Sequence, residues 1–436
     1  MVITSDPFLP SYARRLLVSS SAAVVPNPQL ANPNNPMRVT LRRRQDKALR
    51  RGYPWVFSNQ IHEVAGNPAS GDVVEIAGAD GTLYGLGLYH SESLIAVRFL
   101  TSDVQANVDA AFFAERLRRA VALREAAFAG IGHYRLAYSE SDGLPGTIID
   151  RYGDVVTWST LSYGMEQRRD LILDALESLV QPKAVIERND NPLRAKDGLP
   201  EARGVLRGTY NGPVAIEEDG LSFEVDVLNG PKTGSFLDQR ENRRMMRRLA
   251  AGRRVLDVFS ADGGFGLQAV AGGAASVHLM DASGPALERA LANAERNGLR
   301  DLVAVEQADA LDRLGEMVEQ GAGYDLVILD PPAFARSRRH VEFATKAYQR
   351  ININALQLLS PGGVLATASC SQAVSEADFL KIVLYAAKRT GSRLRQLYRG
   401  TQPPDHPILE SMPETHYLKF YVFQKMGDEL PHAAPE

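Results

Sequence analysis

The chain has 436 residues, of which 49 are basic and 52 acidic, so its formal net charge is −3. Hydrophobic residues make up 44% and charged residues 23%, which excludes wholesale disorder, and the single cysteine, Cys370, excludes an intrachain disulfide. No run approaches the roughly 18 apolar residues of a membrane helix, so we predict a cytoplasmic protein of two or three domains with no membrane partner.

Residues 1–36 are rich in Ser, Pro, Asn and Ala and end in PNPQLANPNNP. Because this composition cannot build a packed face, the segment is predicted to be a disordered leader. Met37 directly precedes the first patterned segment and is an alternative start of translation.

Residues 37–104 are predicted to form a small, β-barrel-like domain. RVTLRR alternates in polarity, GDVVEIAGADGTLYGLGLY contains two strands around an Asp80-Gly81 turn, and LIAVRFL is a further strand.

A basic run in this domain is a candidate RNA-binding surface. Seven basic residues and one acid lie between Arg38 and Arg51. Cations neutralise phosphates and ring faces stack on bases, so aromatic residues directly behind the run strengthen the interpretation. The alternative is a solvated face with the rings in the core. The selected basic residues are Arg42, Arg43, Arg44 and Lys47, and the aromatic residues are Tyr53, Trp55 and Phe57.

Two further domains are predicted from the order of helical and strand patterns. Residues 105–215 begin with an amphipathic helix and continue with three strand-like pieces and a second helix, which indicates a mixed α/β middle domain. In residues 216–436, apolar strands alternate with helices, and two final strand patterns supply an antiparallel end. This rhythm predicts an α/β, Rossmann-like, doubly wound sheet of seven strands.

Acidic residues end four successive strands of this predicted sheet. Ligands bind at the carboxyl ends of parallel strands, and buried acids are costly unless they bind something. Helix capping, the structural alternative, would explain one or two of them. The first strand runs into the loop SADGGFG, where glycines let the backbone approach a ligand. The candidate cofactor contacts are Asp257, Ser260, Gly263, Gly264, Asp281, Asp309 and Asp330.

S-adenosylmethionine (SAM) fits this pattern better than a dinucleotide does. The loop lacks the GxGxxG spacing, and Asp257 and Asp262 beside it would repel a pyrophosphate. SAM carries no phosphate and has a positive sulfonium and ammonium, which favour nearby carboxylates. Asp281 is positioned to accept the ribose hydroxyls, and Asp309 to reach an adenine amino group.

Two residues at adjacent strand ends suggest the chemistry. Asp330 begins DPPAF, in which two prolines fix the backbone and Phe334 can stack on a planar ring. Cys370 ends the following strand. Carbon 5 of cytosine becomes nucleophilic only after a thiolate adds to carbon 6, and an acid near ring nitrogen 3 stabilises that adduct. Cys370 as nucleophile and Asp330 as acid meet both needs, whereas a buried structural cysteine is the alternative.

These segments together resemble a bacterial family, the 23S ribosomal RNA (cytosine-5) methyltransferases with an N-terminal PUA domain, which are class I SAM-dependent enzymes. The resemblance covers nearly everything after Met37. It is carried by YPWVFS (53–58), SDGLPGTIIDRYGD (141–154), VLNGPKTGSFLDQRENR (227–243), VLDVFSADGGFGL (255–267), LDPPAFARS (329–337), TASCS (367–371), DHP (405–407) and PETHYLKF (413–420).

The resemblance implies SAM as methyl donor, with S-adenosylhomocysteine as product, an RNA-binding PUA domain and Cys370 as nucleophile. It also implies that FLDQRENR covers the cofactor, so that Phe236 and Arg240 are candidate contacts; without it, the segment is a charged helix start. Arg338, with its arginine neighbours, is a candidate phosphate contact or part of a solvated loop. His406 and His416 are expected to be structural.

Three functions remain open at this point. The first is formation of 5-methylcytosine in 23S ribosomal RNA through a covalent cysteine adduct. The second is methylation of a purine nitrogen in RNA without covalent catalysis, and the third is a non-catalytic RNA-binding factor for ribosome assembly. The substrate can be free RNA or a large-subunit assembly intermediate, and a homodimer is left open.

Overall fold

The computed structural model describes residues 37–335 and 338–427, so the predicted leader lies outside the described residues. The N-terminal sheet has the strand order β2-β6-β5-β4-β1-β3, in which β1 and β4 run parallel and every other pair is antiparallel. Its elements are β1 (Arg38–Leu41), α1 (Lys47–Arg50), β2 (Trp55–Phe57), β3 (Ile61–Ala65), β4 (Val73–Ala77), β5 (Leu83–Tyr89) and β6 (Ile95–Thr101).

The predicted turn at Asp80-Gly81 is confirmed between β4 and β5. Gly81 has a φ of 85°, a left-handed conformation that glycine adopts without a steric penalty. The alternating strands bury a small apolar core that includes Val39, Val74 and Ile76.

The central sheet has the order β11-β10-β9-β8-β7, with β9 and β10 parallel and the other pairs antiparallel. Its first helix begins at an N-cap, since the Asp109 carboxylate accepts the Phe112 N–H at 3.0 Å. Trp158 is fully buried beneath the two long helices. The elements are α2 (Ala110–Ala127), β7 (His133–Tyr138), β8 (Thr147–Tyr152), β9 (Val155–Thr160), α3 (Tyr163–Glu166), α4 (Arg169–Val180), β10 (Ala184–Asn189) and β11 (Ala202–Gly208).

A hairpin of β12 (Val214–Glu218) and β13 (Leu221–Val225) links the central and C-terminal sheets. The domain boundary predicted between 215 and 216 falls inside β12. The hairpin packs on the helix after it because the Arg243 guanidinium donates two hydrogen bonds of 2.6 Å to the buried Glu218 carboxylate.

The C-terminal sheet has seven strands in the order β16-β15-β14-β17-β18-β20-β19, so the predicted doubly wound sheet with an antiparallel end is confirmed. The order in which the chain adds strands to the sheet reverses between β14 and β17, although these two strands are parallel. This reversal opens a crevice at the carboxyl ends of the strands. The elements are α5 (Arg240–Leu249), β14 (Arg254–Val258), α6 (Gly264–Ala271), β15 (Ser276–Asp281), α7 (Gly284–Arg296), β16 (Val303–Gln307), α8 (Ala310–Glu319), β17 (Tyr324–Leu329), α9 (Val341–Leu358), β18 (Leu359–Ser369), α10 (Glu376–Arg389), β19 (Leu394–Gly400) and β20 (Lys419–Lys425).

Both faces of this sheet are buried, which explains the continuous apolar runs in its strands. Leu326 and Ile328 face the side packed with α6, α7 and the hairpin, while Val327 and Leu329 face α8, α9 and α10. Within the two described ranges, no helix is both long enough and apolar enough to cross a membrane.

One buried arginine joins the motifs DGLPG and DHP. The Arg124 guanidinium binds the Asp142 carboxylate at 2.6 and 2.7 Å and donates to the Asp405 carbonyl at 2.7 Å. His406 is buried beside the Tyr138 ring, with Nδ1 2.9 Å from the Asp405 carboxylate. These motifs therefore hold the central sheet against the C-terminal one.

Candidate active site

A cavity of about 510 Å³ opens at the carboxyl ends of the C-terminal strands, the edge where the sequence predicted a ligand site. Its volume is within the range of about 300–1,000 Å³ that is usual for small-molecule sites. The candidate residues that line it are Phe236, Ser260, Gly264, Asp281, Asp309, Asp330, Phe334 and Cys370; Arg240, Asp257 and Gly263 do not.

The loop after β14 has a strained backbone. Phe259 and Ala261 have φ values of 63° and 48°, in the left-handed region that residues other than glycine rarely adopt. The Asp281 carboxylate holds this loop, because Oδ2 accepts the Ala261 N–H at 2.9 Å and Oδ1 accepts the Ser283 N–H at 2.8 Å. Such strain is concentrated at functional sites.

The two glycines of this loop have different tasks. Gly264 lines the cavity, and a Cβ there would stand 3.1 Å from the Arg243 side chain. Gly263 has a φ of 84° and starts α6, and its Cβ would stand 3.1 Å from Ala290 on α7. Gly263 therefore serves the turn and the helix packing, and it does not line the cavity.

The acids at the strand ends divide into three that reach the cavity and one beneath it. Asp309 is exposed, caps α8 by accepting the Leu311 N–H at 2.8 Å, and lines the cavity. Asp257 is fully buried; its Oδ2 accepts the Gly266 N–H at 2.8 Å, and its Oδ1 has no partner. Burial raises the pKa of Asp257 well above its ordinary value.

The segment FLDQR reaches the cavity, but Arg240 does not. The Arg240 guanidinium is fully buried, donates to the His133 carbonyl and lies 5.0 Å from the Phe128 ring, so it fastens α5 to the central sheet. Arg240, expected to contact the cofactor, therefore does not reach the cavity and has a structural role. Arg243, one helical turn later, lines the cavity and donates to the Phe236 carbonyl at 2.9 Å.

At the other end of the cavity, Asp330 lies beside a second carboxylate. Gln239 Nε2 donates to Asp330 Oδ1 at 2.8 Å. Burial, reinforced by the negative charge of Asp238, raises the pKa of Asp330 to about 7. Asp238 is itself buried and remains ionised, since Lys232 Nζ and Tyr417 OH both contact its Oδ2 at 2.7 Å. Two carboxyls with separated pKa values are typical of acid–base sites.

Cys370 lines this same end of the cavity and is only partly buried. Its Sγ lies 3.9 Å from the Pro331 carbonyl oxygen, next to Asp330 in the chain. Burial and the Asp330 charge raise the pKa of the thiol to about 11, while Lys232 and Lys419 act in the opposite direction. The predicted convergence of Cys370 and Asp330 on one cavity is thus present in the structure.

Phe334 forms part of the cavity wall, with its ring 4.8 Å from that of Tyr348 and 6.3 Å from that of Phe259. This packing holds an aromatic face beside Asp330, as a base-stacking residue requires. The side chain of Arg338, predicted to contact phosphate, lies outside the described residues.

The basic run of the N-terminal sheet is exposed, but the aromatic residues behind it are not free. Tyr53, Trp55 and Phe57 are half-buried and pack on one another at centroid distances of 6.1–6.3 Å. Trp55 Nε1 donates to Glu140 at 2.6 Å, which turns the indole toward the central sheet. The basic side chains are therefore exposed, as an RNA-binding surface requires, whereas the aromatic rings are packed, as the alternative interpretation expected. The exposed cations are Arg42, Arg43, Arg44 and Lys47.

The sequence reasoning missed three residues that surround Asp330 and Cys370. Asp238 and Gln239 lie inside FLDQR, so the motif itself was the available signal. Lys419 lies in the motif PETHYLKF (413–420), but that motif gives no sign that its side chain reaches the strand end that carries Cys370.

The residues present fit SAM. Ser260 Oγ is buried without a partner at the cavity wall. The loop has no phosphate-binding glycine fingerprint, and five carboxyl groups line the cavity: Asp238, Asp262, Asp281, Asp309 and Asp330. Carboxylates and an unpaired hydroxyl suit a ligand that brings cations and hydroxyl groups. In the described part of the chain, no cluster of three or more His, Cys, Asp or Glu residues is arranged for a metal ion.

The fold and this site together define the class of SAM-dependent methyltransferases. Residues 200–422 match the S-adenosylmethionine-dependent methyltransferase family, and residues 39–102 match the PUA-like domain. A protein from Shewanella denitrificans named Ribosomal RNA large subunit methyltransferase I is 41% identical over 391 residues, covering 88% of this chain and 98% of its own. A protein of the same name from Aeromonas salmonicida is 43% identical over 383 residues, covering 87% and 96%.

Solved structures agree with the fold. A methyltransferase complexed with S-adenosylhomocysteine superposes with a TM-score of 0.77 at 22% identity, covering 89% of this chain and all of its own. A second one, from Streptococcus mutans, gives 0.76 at the same identity and coverage. The chain therefore belongs to the SAM-dependent methyltransferase family that includes the Ribosomal RNA large subunit methyltransferase I proteins, and its cofactor is SAM.

Proposed function

We propose that the chain methylates carbon 5 of a cytosine in 23S ribosomal RNA through a covalent adduct with Cys370. The observation that carries the proposal is that Cys370 and Asp330 line one cavity with the strand-end acids assigned to SAM. The name shared by its relatives supports a large-subunit ribosomal RNA as the substrate.

Carbon 5 of cytosine is a weak nucleophile, and the thiol of Cys370 activates it. The Cys370 thiolate forms a bond to carbon 6, and the electron pair of the ring double bond makes carbon 5 nucleophilic. When bound, SAM supplies an electrophilic methyl group. Carbon 5 takes that methyl and S-adenosylhomocysteine leaves. The carbon-5 proton then passes to a base, nitrogen 3 returns its proton to Asp330, and the carbon–sulfur bond breaks to return the thiolate.

Asp330 suits the proton transfers that accompany the attack. With a pKa of about 7, its carboxylate takes the Cys370 proton and gives it to ring nitrogen 3, so that no separate charge accumulates on the ring. Gln239, which donates to Asp330 at 2.8 Å, orients this carboxyl group. Phe334 then provides a face on which the flipped base stacks.

The experiment uses the full chain, tritiated SAM and 23S ribosomal RNA from a strain that lacks the activity. Mass spectrometry of the digested RNA is expected to show 5-methylcytidine at one position. A methylated purine nitrogen would replace the proposal by its non-covalent alternative. No label in free RNA or in a large-subunit intermediate would favour the non-catalytic assembly factor.

We also propose that the exposed basic run of the N-terminal sheet contacts the RNA backbone, and that the protein acts in the cytoplasm. Reversing Arg42, Arg43 and Arg44 to Glu should weaken RNA binding and flatten its dependence on salt. The matched control reverses Lys346, Arg350 and Lys381, which are already ion-paired. Equal loss in both variants would contradict the assignment.

A further inference from the structure

A buried lysine lies directly behind the reactive cysteine. Lys419 is the first residue of β20 and pairs in register with Ser369 of β18, the residue before Cys370. Its Nζ donates to the carbonyl of Ser371, the residue after Cys370, at 2.7 Å. The lysine therefore spans the strand end that presents the thiol, and its side chain is only 3% exposed.

The other charged groups around the thiol do not supply a dedicated cation. Asp238 is ionised and Asp330 is negative above its pKa of about 7, and both charges oppose thiolate formation. Lys232 is positive, but it is exposed and its Nζ is held 2.7 Å from Asp238. On the α9 side, Tyr348 OH contacts the hydroxyls of Ser369 and Ser371 and carries no charge.

The carboxylate nearest to Lys419 is already engaged elsewhere. Glu376 at the start of α10 interacts with the Lys419 charge, but its oxygens accept from Arg399 Nε at 2.6 Å and Tyr421 OH at 3.0 Å. Burying an ammonium group without a committed carboxylate is costly. That cost is offset when a negative charge forms beside the ammonium.

We infer that Lys419 is a positioning residue that stabilises the thiolate of Cys370 from inside the protein. The inference rests on the proposed function, in which Cys370 attacks as a thiolate. The thiol proton goes to Asp330, Lys419 keeps its own proton throughout, and the hydrogen bond to Ser371 holds the ammonium in place. Lys419 does not touch the RNA or the methyl group.

The coupling of the two groups agrees with this placement. Burial lowers the pKa of Lys419 to about 8, and the neighbouring thiolate raises it. The Lys419 charge in turn lowers the pKa of the thiol that burial has raised. Each charged form therefore favours the other, as expected for an ion pair that forms within the site.

The test is the rate at which iodoacetamide alkylates the full-length protein as a function of pH. Cys370 is the single cysteine, so every modified thiol reports on this residue. The thiolate attacks the methylene carbon and iodide leaves. We expect Lys419→Met to slow alkylation at pH 7, where Lys419 with its pKa of about 8 still carries its proton, by up to about tenfold, because one pKa unit changes the thiolate fraction by that factor.

Lys425→Met is the matched control. Lys425 lies on the same strand and face, is partly buried and donates to the carbonyls of Leu356 and Leu359 at 2.8 and 2.7 Å. Its loss should leave the alkylation profile unchanged. Lys419→Arg keeps a permanent charge and should alkylate at or below the wild-type midpoint pH, which separates charge from packing even if the methionine variant is unstable.

A wild-type alkylation profile in Lys419→Met, or the same shift in Lys425→Met, would overturn the inference. The outcome is independent of the RNA. If Lys419→Met shifts the thiol but methyl transfer does not need Cys370, then the proposed function fails while the thiol–lysine pairing stands.

Discussion

The two ends of the cavity are built in different ways. At the cofactor end, Asp281 accepts backbone N–H groups from the loops after β14 and β15, and Asp309 accepts one from the first turn of α8. At the thiol end, side chains from distant segments shift one another's pKa, to about 7 for Asp330, about 11 for Cys370 and about 8 for Lys419. The residues proposed to bind the cofactor are thus held by local backbone contacts, whereas the residues proposed for the chemistry influence one another through long-range electrostatics.

Replacing Cys370 by Ala should abolish methyl transfer and leave SAM binding unchanged. Methyl transfer should fall by more than about 10⁴-fold, because the nucleophile is lost. SAM affinity, measured by calorimetry, should stay at the wild-type level, since the thiol lies at the opposite end of the cavity. Near-full activity of this variant would remove covalent catalysis from the account.

Asp330→Asn should cost about 10²–10⁴-fold in the single-turnover rate, the usual contribution of a positioned acid or base. Asp325→Asn is the control, because Asp325 lies at the amino end of the same strand and accepts the Arg254 N–H at 3.0 Å. If both variants lose the same activity, the effect belongs to the strand and not to the proton transfer.

Asp281→Ala tests the cofactor end. Loss of charged hydrogen bonds should weaken SAM binding by about 1–3 kcal/mol, or roughly 5- to 150-fold in Kd. Asp301→Ala, an exposed acid that precedes β16 at the opposite edge of the sheet, should bind SAM normally. An unchanged Kd for Asp281→Ala by calorimetry would show that this carboxylate serves the loop alone.

The pH dependence of SAM binding links the two ends. Asp330 is protonated below its pKa of about 7, and its carboxylate favours the positive sulfonium. Affinity should therefore rise as pH rises through 7, by about tenfold between pH 6 and 8. The Asp330→Asn variant should bind SAM equally well at pH 6 and pH 8. Titrations that show the same tenfold change in this variant would contradict the assignment.

The sequence predicted the residues that end the strands better than it predicted the residues that surround them. Alternating strands and helices are local patterns, and the ends of parallel strands meet at one edge, so Asp281, Asp309 and Asp330 could be placed together without a structure. Cys370 followed from the same rule. The doubly wound sheet of seven strands and its antiparallel end were predicted on the same grounds.

The remaining residues depend on tertiary packing that no local pattern encodes. Asp238 comes from a short 3-10 helix (Leu237–Gln239) directly before α5, and Lys419 from the last strand of the sheet in the chain. Arg240 is the opposite case, a residue close to Asp238 in the chain that does not join it at the cavity. Its side chain, at the start of α5, turns toward the central sheet. Neighbours in the chain thus belong to different sites.

The most direct measurement uses RNA in which the target cytosine is replaced by 5-fluorocytosine. Fluorine at carbon 5 cannot leave as a proton, so the adduct persists after methyl transfer. In the presence of SAM, mass spectrometry should find the RNA joined to Cys370, and the Cys370→Ala protein should remain unmodified. Methylated RNA without any protein–RNA species would contradict the covalent mechanism.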